Sequence, residues 1–163
     1  MATLTAKWVY TNNQAATITI ASLSNFGIAL SNTIDNTTTG YMSMDLQLQI
    51  TTSFAVADGG LYRLAGVGLY LLRTTDGNTS GVFDTVLGPG LSITTANTIK
   101  GNNPELLQIL YTPAAATAYK SSIRIENLPG IFKFMIYNAT GGPLDSTGSN
   151  HYLKYNAKTL QVV

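Results

Sequence analysis

The sequence contains no cysteine. That excludes disulfides, thiol catalysis, iron–sulfur clusters and thiolate zinc sites. Charge is also scarce: charged residues make up 10% of the 163 residues, against about a quarter in an ordinary globular domain. Their place is taken by Thr, Asn, Ser and Gln. The formal net charge is +1, whereas proteins that hold nucleic acid by its phosphates carry a strong basic excess; direct nucleic-acid binding is not expected. No apolar run approaches the roughly 20 residues needed to span a bilayer, so no membrane partner is expected. The opening MATLTAKWVY has no charged segment followed by an apolar one. It does not read as a signal peptide, and synthesis in the cytoplasm of the producing cell is expected.

What is present is alternation. Apolar residues make up 45% of the chain, enough for a real core in one domain, residues 1–163. The clearest strand is YMSMDLQLQI, Tyr41 to Ile50. Met42, Met44, Leu46, Leu48 and Ile50 alternate with Ser43, Asp45, Gln47 and Gln49, so the apolar set is expected on a facing sheet and the polar set toward water or a neighbouring subunit. Ala16 to Ala21 alternates too, with Ile18 and Ile20 opposite Thr17 and Thr19. Ala65 to Leu72, AGVGLYLL, is almost wholly apolar and reads as a strand covered on both faces, with Gly66 and Gly68 admitting a neighbouring backbone. Leu106–Tyr111 and Lys120–Leu128 follow, the latter with Ile123 and Ile125 inward. Ile131–Ala139 places Phe132, Phe134 and Ile136 on one face and Lys133, Met135 and Tyr137 on the other. HYLKY and TLQVV read as a closing pair, and TAKWVY as an opening strand.

Turn chemistry separates these runs. Asp35-Asn36, Asp58-Gly59-Gly60, Asp76-Gly77-Asn78 and Gly141-Gly142-Pro143 favour positive φ, Asx turns or preset φ. Leu128-Pro129-Gly130 reads as a hairpin-like link. Asp76 to Asn103 reads as a loop excursion with one short strand near Leu91–Ile93, and Asn103 as a cap if a helical turn opens at Pro104. The fold class expected is therefore all-β: an antiparallel two-sheet β-sandwich, jelly-roll-like, of about eight or nine strands.

Candidates for chemistry are thin. His151 is the single histidine; with no GxSxG elbow and no thiol, it reads as a strand-end residue in contact with solvent. Most of the eight acids fall at turns, where Asp bonds its own backbone. Asp76, Asn78 and Asp84 gather in one loop, but the EF-hand offsets and the terminal Glu are absent. Gly66–Gly68 and Gly88–Gly90 lack the Lys-Ser/Thr ending of a phosphate loop. Asn36, Asn78 and Asn138 match the glycosylation pattern, as chance allows in so Asn- and Thr-rich a chain. Ten aromatics (Trp8, Tyr10, Tyr41, Tyr62, Tyr70, Tyr111, Tyr119, Tyr137, Tyr152 and Tyr155) are candidates for a sugar-stacking platform, weighed against their ordinary place in strands and sandwich margins. No catalytic residue, cofactor or metal is assigned, and the chain is not read as an enzyme.

Two regions together carry a resemblance. The first is IALSNTIDNTTTGYMSMDLQLQITTSFAVADGGLYRLAGVGLYLLRTTDGN, from Ile28 to Asn78. The second is FKFMIYNATGGPLDSTGSNHYLKYNAKTLQVV, from Phe132 onward. They resemble the small jelly-roll-type virion structural proteins of tailed bacteriophages, which decorate or cement the particle. The resemblance implies a non-enzymatic capsid decoration protein that contacts the major capsid protein or another virion protein. It also implies a homo-oligomer, a trimer by preference, resident in the virion. It transfers no functional residues. From the chain itself, residues 1–12 read either as an extended arm or as the first strand, with Trp8 and Tyr10 as candidate inter-subunit anchors. The alternative function is a carbohydrate-binding module, tail-associated or free, directed at host-surface glycan.

Overall fold

A computed structural model describes residues 5–53, 66–73 and 105–162. Nine strands are described: β1 (Ala6–Ala15), β2 (Ile28–Leu30), β3 (Ile34–Asp35), β4 (Tyr41–Thr51), β5 (Gly66–Arg73), β6 (Glu105–Tyr111), β7 (Ala118–Glu126), β8 (Ile131–Asn138) and β9 (Tyr152–Val162). One helical turn, α1 (Asn36–Thr39), joins β3 to β4. Asp35 caps it by accepting the Thr37 N–H, and Gly40 closes it at φ 62° in the left-handed region, the conformation that costs glycine least.

The strands form two antiparallel sheets, ordered β1-β9-β4-β7 and β2-β8-β5-β6, with β3 also paired to β8. Across all the strands the pairing is nested. β1 lies on β9, β2 and β3 on β8, β4 on β7, and β5 on β6. The chain is in effect one long double strand doubled back between β5 and β6 and then rolled into two layers. That is the jelly roll, which hides most sheet edges by wrapping.

The core lies between the layers. Met44, Leu46, Leu48 and Ile50 of β4 meet Val67, Leu69 and Leu71 of β5 and Phe132, Phe134 and Ile136 of β8, all essentially without solvent exposure. Each such side chain contributes about 1.5–3 kcal/mol of burial before entropy is counted. The second face of β5 is also apolar: Leu72 and Met135 are buried, with Ile28, Tyr70 and Ile131 packed on them. β5 is therefore covered on both sides, as its unbroken apolar run requires. A Cβ on Gly66 would lie 2.6 Å from the Leu110 carbonyl oxygen, so this glycine does admit a neighbouring backbone. The space above Gly68 is filled by the Tyr70 ring instead.

Several expectations change. Met42 is half exposed rather than buried. The ladder to β9 steps from Tyr41↔Thr159 to Ser43↔Lys158, so Met42 is the extra residue of a β-bulge and turns outward while Tyr41 turns in. Ala16–Ala21 keeps its alternation, with Ala16 and Ile20 buried, but forms no ladder. It is the crossing from β1 in one sheet to β2 in the other, and its Thr17 N–H bonds the Asn32 side chain instead. HYLKY and TLQVV belong to one continuous strand, β9, from Tyr152, because Asn156 and Ala157 both pair with β4 and Ala157 pairs with β1 as well, leaving no place to turn. Leu128-Pro129-Gly130 is no hairpin: β7 and β8 lie in different sheets, and the turn passes between layers. β2 and β3 were too short to show periodicity. The Asp58-Gly59-Gly60 turn and the whole Asp76–Asn103 excursion, with its Leu91–Ile93 strand, Asn103 cap and Asp76/Asn78/Asp84 loop, lie outside the described residues.

Candidate functional site

His151 is buried, 8% exposed, and not in contact with solvent as its strand-end position suggested. The Thr51 N–H donates to its Nδ1 at 3.3 Å, which makes Nδ1 an acceptor; Nε2 then donates to the Asp145 backbone carbonyl at 2.9 Å. The Asp145 carboxylate is engaged elsewhere, accepting the Thr147 N–H at 2.8 Å and the Asn150 amide at 3.0 Å. Those bonds, the Thr147 one foremost, hold its carboxyl below the ordinary range. His151 thus ties the end of β4 to the turn before β9.

Two further acids are occupied by near neighbours. Asp35 caps α1, and the bonds from Thr37 depress its carboxyl. Glu105 pairs with Arg73 at 2.5 Å. Among the described residues no group of three or more His, Asp or Glu side chains is placed to hold a metal ion. Two of the three glycosylation matches are structural: Asn138 is fully buried and Asn36 nearly so. Asn138 donates to the carbonyls of Leu23, Ser24 and Gly142 and accepts from Thr140. Asn78 lies outside the described residues.

The outward face of the β1-β9-β4-β7 sheet collects the residues without such duties. In register, Trp8 faces Leu160 and Tyr10 faces Lys158. Both aromatics stand on this outer surface, 48% and 59% exposed. β1 is the edge strand of the sheet, so the first segment is a strand from Ala6 rather than a free arm. The Lys158 ammonium sits 3.8 Å over the Trp8 ring and 6.0 Å from Tyr10. Val162 and the bulged Met42 are exposed on the same end of the face.

Towards the middle of this face the character becomes polar. Asp45 of β4 stands opposite Arg124 of β7 and accepts two hydrogen bonds from its guanidinium, at 2.6 and 3.0 Å. The Arg124 bond holds the Asp45 carboxyl below its usual range, and the carboxylate raises Arg124 in turn. Beside them the β1 ladder slips between Thr11 and Gln14. Asn13 there takes a positive φ of 53°, and its N–H is held by the Asn156 side-chain oxygen at 2.7 Å. The raised bulge walls a concavity of about 420 Å³ over β9 and β4. Sequence reading missed both the bulge and the Asp45–Arg124 pair. The Asn12-Asn13 dipeptide inside an otherwise strand-like run was the available signal, since Asn tolerates the left-handed region.

The candidate aromatic platform is dispersed. Trp8, Tyr10 and Tyr152 lie on this outer face, Tyr41, Tyr119 and Tyr155 pack against the core, and Tyr70 and Tyr137 line the far side of the second sheet. Tyr111 is half exposed at the end of β6, and Tyr62 is outside the described residues.

No family model matches the chain, and no curated protein matches it. Among solved structures it is similar to peanut lectin with a 9mer peptide (PVIWSSATG), at 9% identity over 99% of each chain and a TM-score of 0.31. A superposition that loose carries no argument, and the fold rests on the strand ladders themselves.

Proposed function

We propose that this chain is a non-enzymatic structural protein of a tailed-phage virion, a capsid decoration or cement protein that works as a homo-oligomer, by preference a trimer. The observation that carries the reading is the exposed apolar end of the β1-β9-β4-β7 sheet. Trp8, Tyr10, Met42, Leu160 and Val162 are each between 47% and 62% exposed and share one outer surface. Soluble monomers seldom leave aromatic and aliphatic side chains gathered in this way, and such patches mark contact surfaces. Aromatic residues of this kind serve as anchors in protein interfaces.

Two further features support it. The charge-poor composition relies little on self-repulsion for solubility, which suits a protein packed among neighbours. The resemblance of Ile28–Asn78 and of the C-terminal half to phage virion proteins points the same way. Mechanistically, each copy adds a modest contact across a joint between shell subunits, and repetition over a symmetric shell multiplies the effect. The test is electron microscopy and heat challenge of particles with and without this protein. Density lost at shell joints, with earlier rupture, is the expected result; unchanged density and stability would remove the reading.

A further inference from the structure

We propose that the amide-lined concavity in the middle of the β1-β9-β4-β7 face is a saccharide-binding site, selecting a neutral, hydroxyl-rich oligosaccharide segment. The inference stands apart from the virion reading, because it uses different residues of the same face.

The lining decides the ligand class. Asn12, Asn13, Gln47 and Asn156 contribute side-chain amides, each both donor and acceptor, and Asp45 and Lys154 add an acceptor and a donor group. Sugar hydroxyls also donate and accept, so neighbouring hydroxyls are matched by amides in a way that phosphate, an acceptor, is not. A phosphate-rich ligand would want several free cations. Here Arg124 is already bonded to Asp45 at 2.6 Å, which leaves Lys154, its ammonium 5.0 Å from the Tyr152 ring, as a single cation in the lining. An extended peptide is also a poor fit, since peptides join sheets along an edge strand and this depression opens on the face.

The shape favours a chain of sugars over a single ring. A second depression of about 320 Å³, lined by Asp45, Ser122, Ile123 and Arg124, shares Asp45 and Ser122 with the first. Together they run across all the strands of the sheet, from the β1 bulge to β7. At about 4.8 Å between strands this is on the order of 14 Å. Volumes of this order lie within the usual range for ligand sites.

The site is also built in advance. Asn13 holds a backbone conformation uncommon for a residue with a side chain. It is fixed there by Asn156 at 2.7 Å, while Gln14 bonds the Asn12 carbonyl at 3.1 Å. The Tyr152 hydroxyl donates to the Gln47 side-chain oxygen at 3.2 Å and sets that amide. Strain held by side-chain hydrogen bonds beside a polar hollow is what a preorganised site requires.

The experiment is a glycan microarray carrying neutral and sulfated oligosaccharides, probed with intact labelled protein and with the Ser122→Tyr, Gln47→Ala and Trp8→Ala variants. Ser122→Tyr fills the floor where the two depressions join; Gln47→Ala removes one amide and adds no bulk. Neutral oligosaccharides are expected to bind, and each of these two variants to weaken them by about tenfold or more, the loss of one or two hydrogen bonds. Trp8→Ala is expected to bind as the parent does. Three results would overturn the proposal: no retention of any neutral saccharide, equal binding by Gln47→Ala and the parent, or binding confined to sulfated glycans and abolished by salt.

Discussion

Lys158 places its ammonium 3.8 Å over the ring of Trp8, from the neighbouring strand of the same sheet. The ring thereby has a cation on its face although it is 48% exposed. A cation–π contact at an exposed site contributes about 0.5–1 kcal/mol, enough to orient a side chain and little for the fold. Trp8→Ala is therefore expected to leave the unfolding midpoint nearly unchanged. On the proposed function it lowers affinity for the particle by about tenfold or more, as truncating an aromatic anchor does. Co-sedimentation with shells lacking the protein, alongside denaturant unfolding of the variant, measures both. Unchanged co-sedimentation would remove Trp8 from the contact.

Asp45 and Arg124 give the pH dependence. The guanidinium hydrogen bond depresses the folded-state pKa of Asp45. A group depressed in the folded state adds stability above its unfolded value, near pH 3.9, and loses it as pH falls through the lower folded value. Because both side chains are about half or more exposed, the effect is small, about 0.2–1 kcal/mol for a cross-strand pair. Asp45→Asn is expected to be less stable than the parent by that amount at neutral pH. The gap should close as pH drops well below about 3.9, and shrink at about 1 M salt. Urea unfolding of parent and variant across this pH range checks the sign; a gap that widened in acid would refute the assignment.

How far the fold could be read from the chain follows from what periodicity measures. Burial on one or two faces leaves a mark along the sequence, so β4, β5, β7 and β8 were legible, down to Phe132, Phe134 and Ile136 sharing the inner face. Pairing leaves no such mark. Ala16–Ile20 alternates as a strand does because it skirts the core, yet it crosses between sheets and bonds to Asn32. Met42 alternates perfectly and still faces out, because one added residue in a ladder reverses every side chain beyond it. The concavity had the same origin: Asn12, Asp45, Ser122 and Asn156 come from four strands, and only register brings them together.

His151 makes the next prediction. Its ring accepts from the Thr51 N–H and donates to the Asp145 carbonyl in a setting where both His151 and Thr51 are buried. His151→Phe keeps the ring volume but removes both partners. A buried donor left unpaired costs about 1–3 kcal/mol, so a loss of that size is expected in equilibrium unfolding. Any activity or binding at the outer face of the β1-β9-β4-β7 sheet should be unaffected in the folded fraction, because the ring is engaged with the end of β4 and the turn before β9. A variant as stable as the parent would show that these bonds contribute nothing.

Three glycines give a ranked series. A methyl group on Gly66 would meet the Leu110 carbonyl oxygen at 2.6 Å, and a backbone atom in a ladder cannot move without opening the pairing of β5 with β6. On Gly68 the nearest atom, also at 2.6 Å, belongs to the Tyr70 ring, and a side chain can swing away at the cost of a poorer rotamer. On Gly148 nothing lies within 4 Å. Gly66→Ala is therefore expected to cost the most, about 1–3 kcal/mol as overpacking does. Gly68→Ala should cost less than that, and Gly148→Ala should stay within about 0.5 kcal/mol of the parent. Chemical denaturation of the three variants tests the order. If Gly68→Ala were the costliest, the Tyr70 ring rather than the β5–β6 backbone spacing would be the rigid element of this sheet.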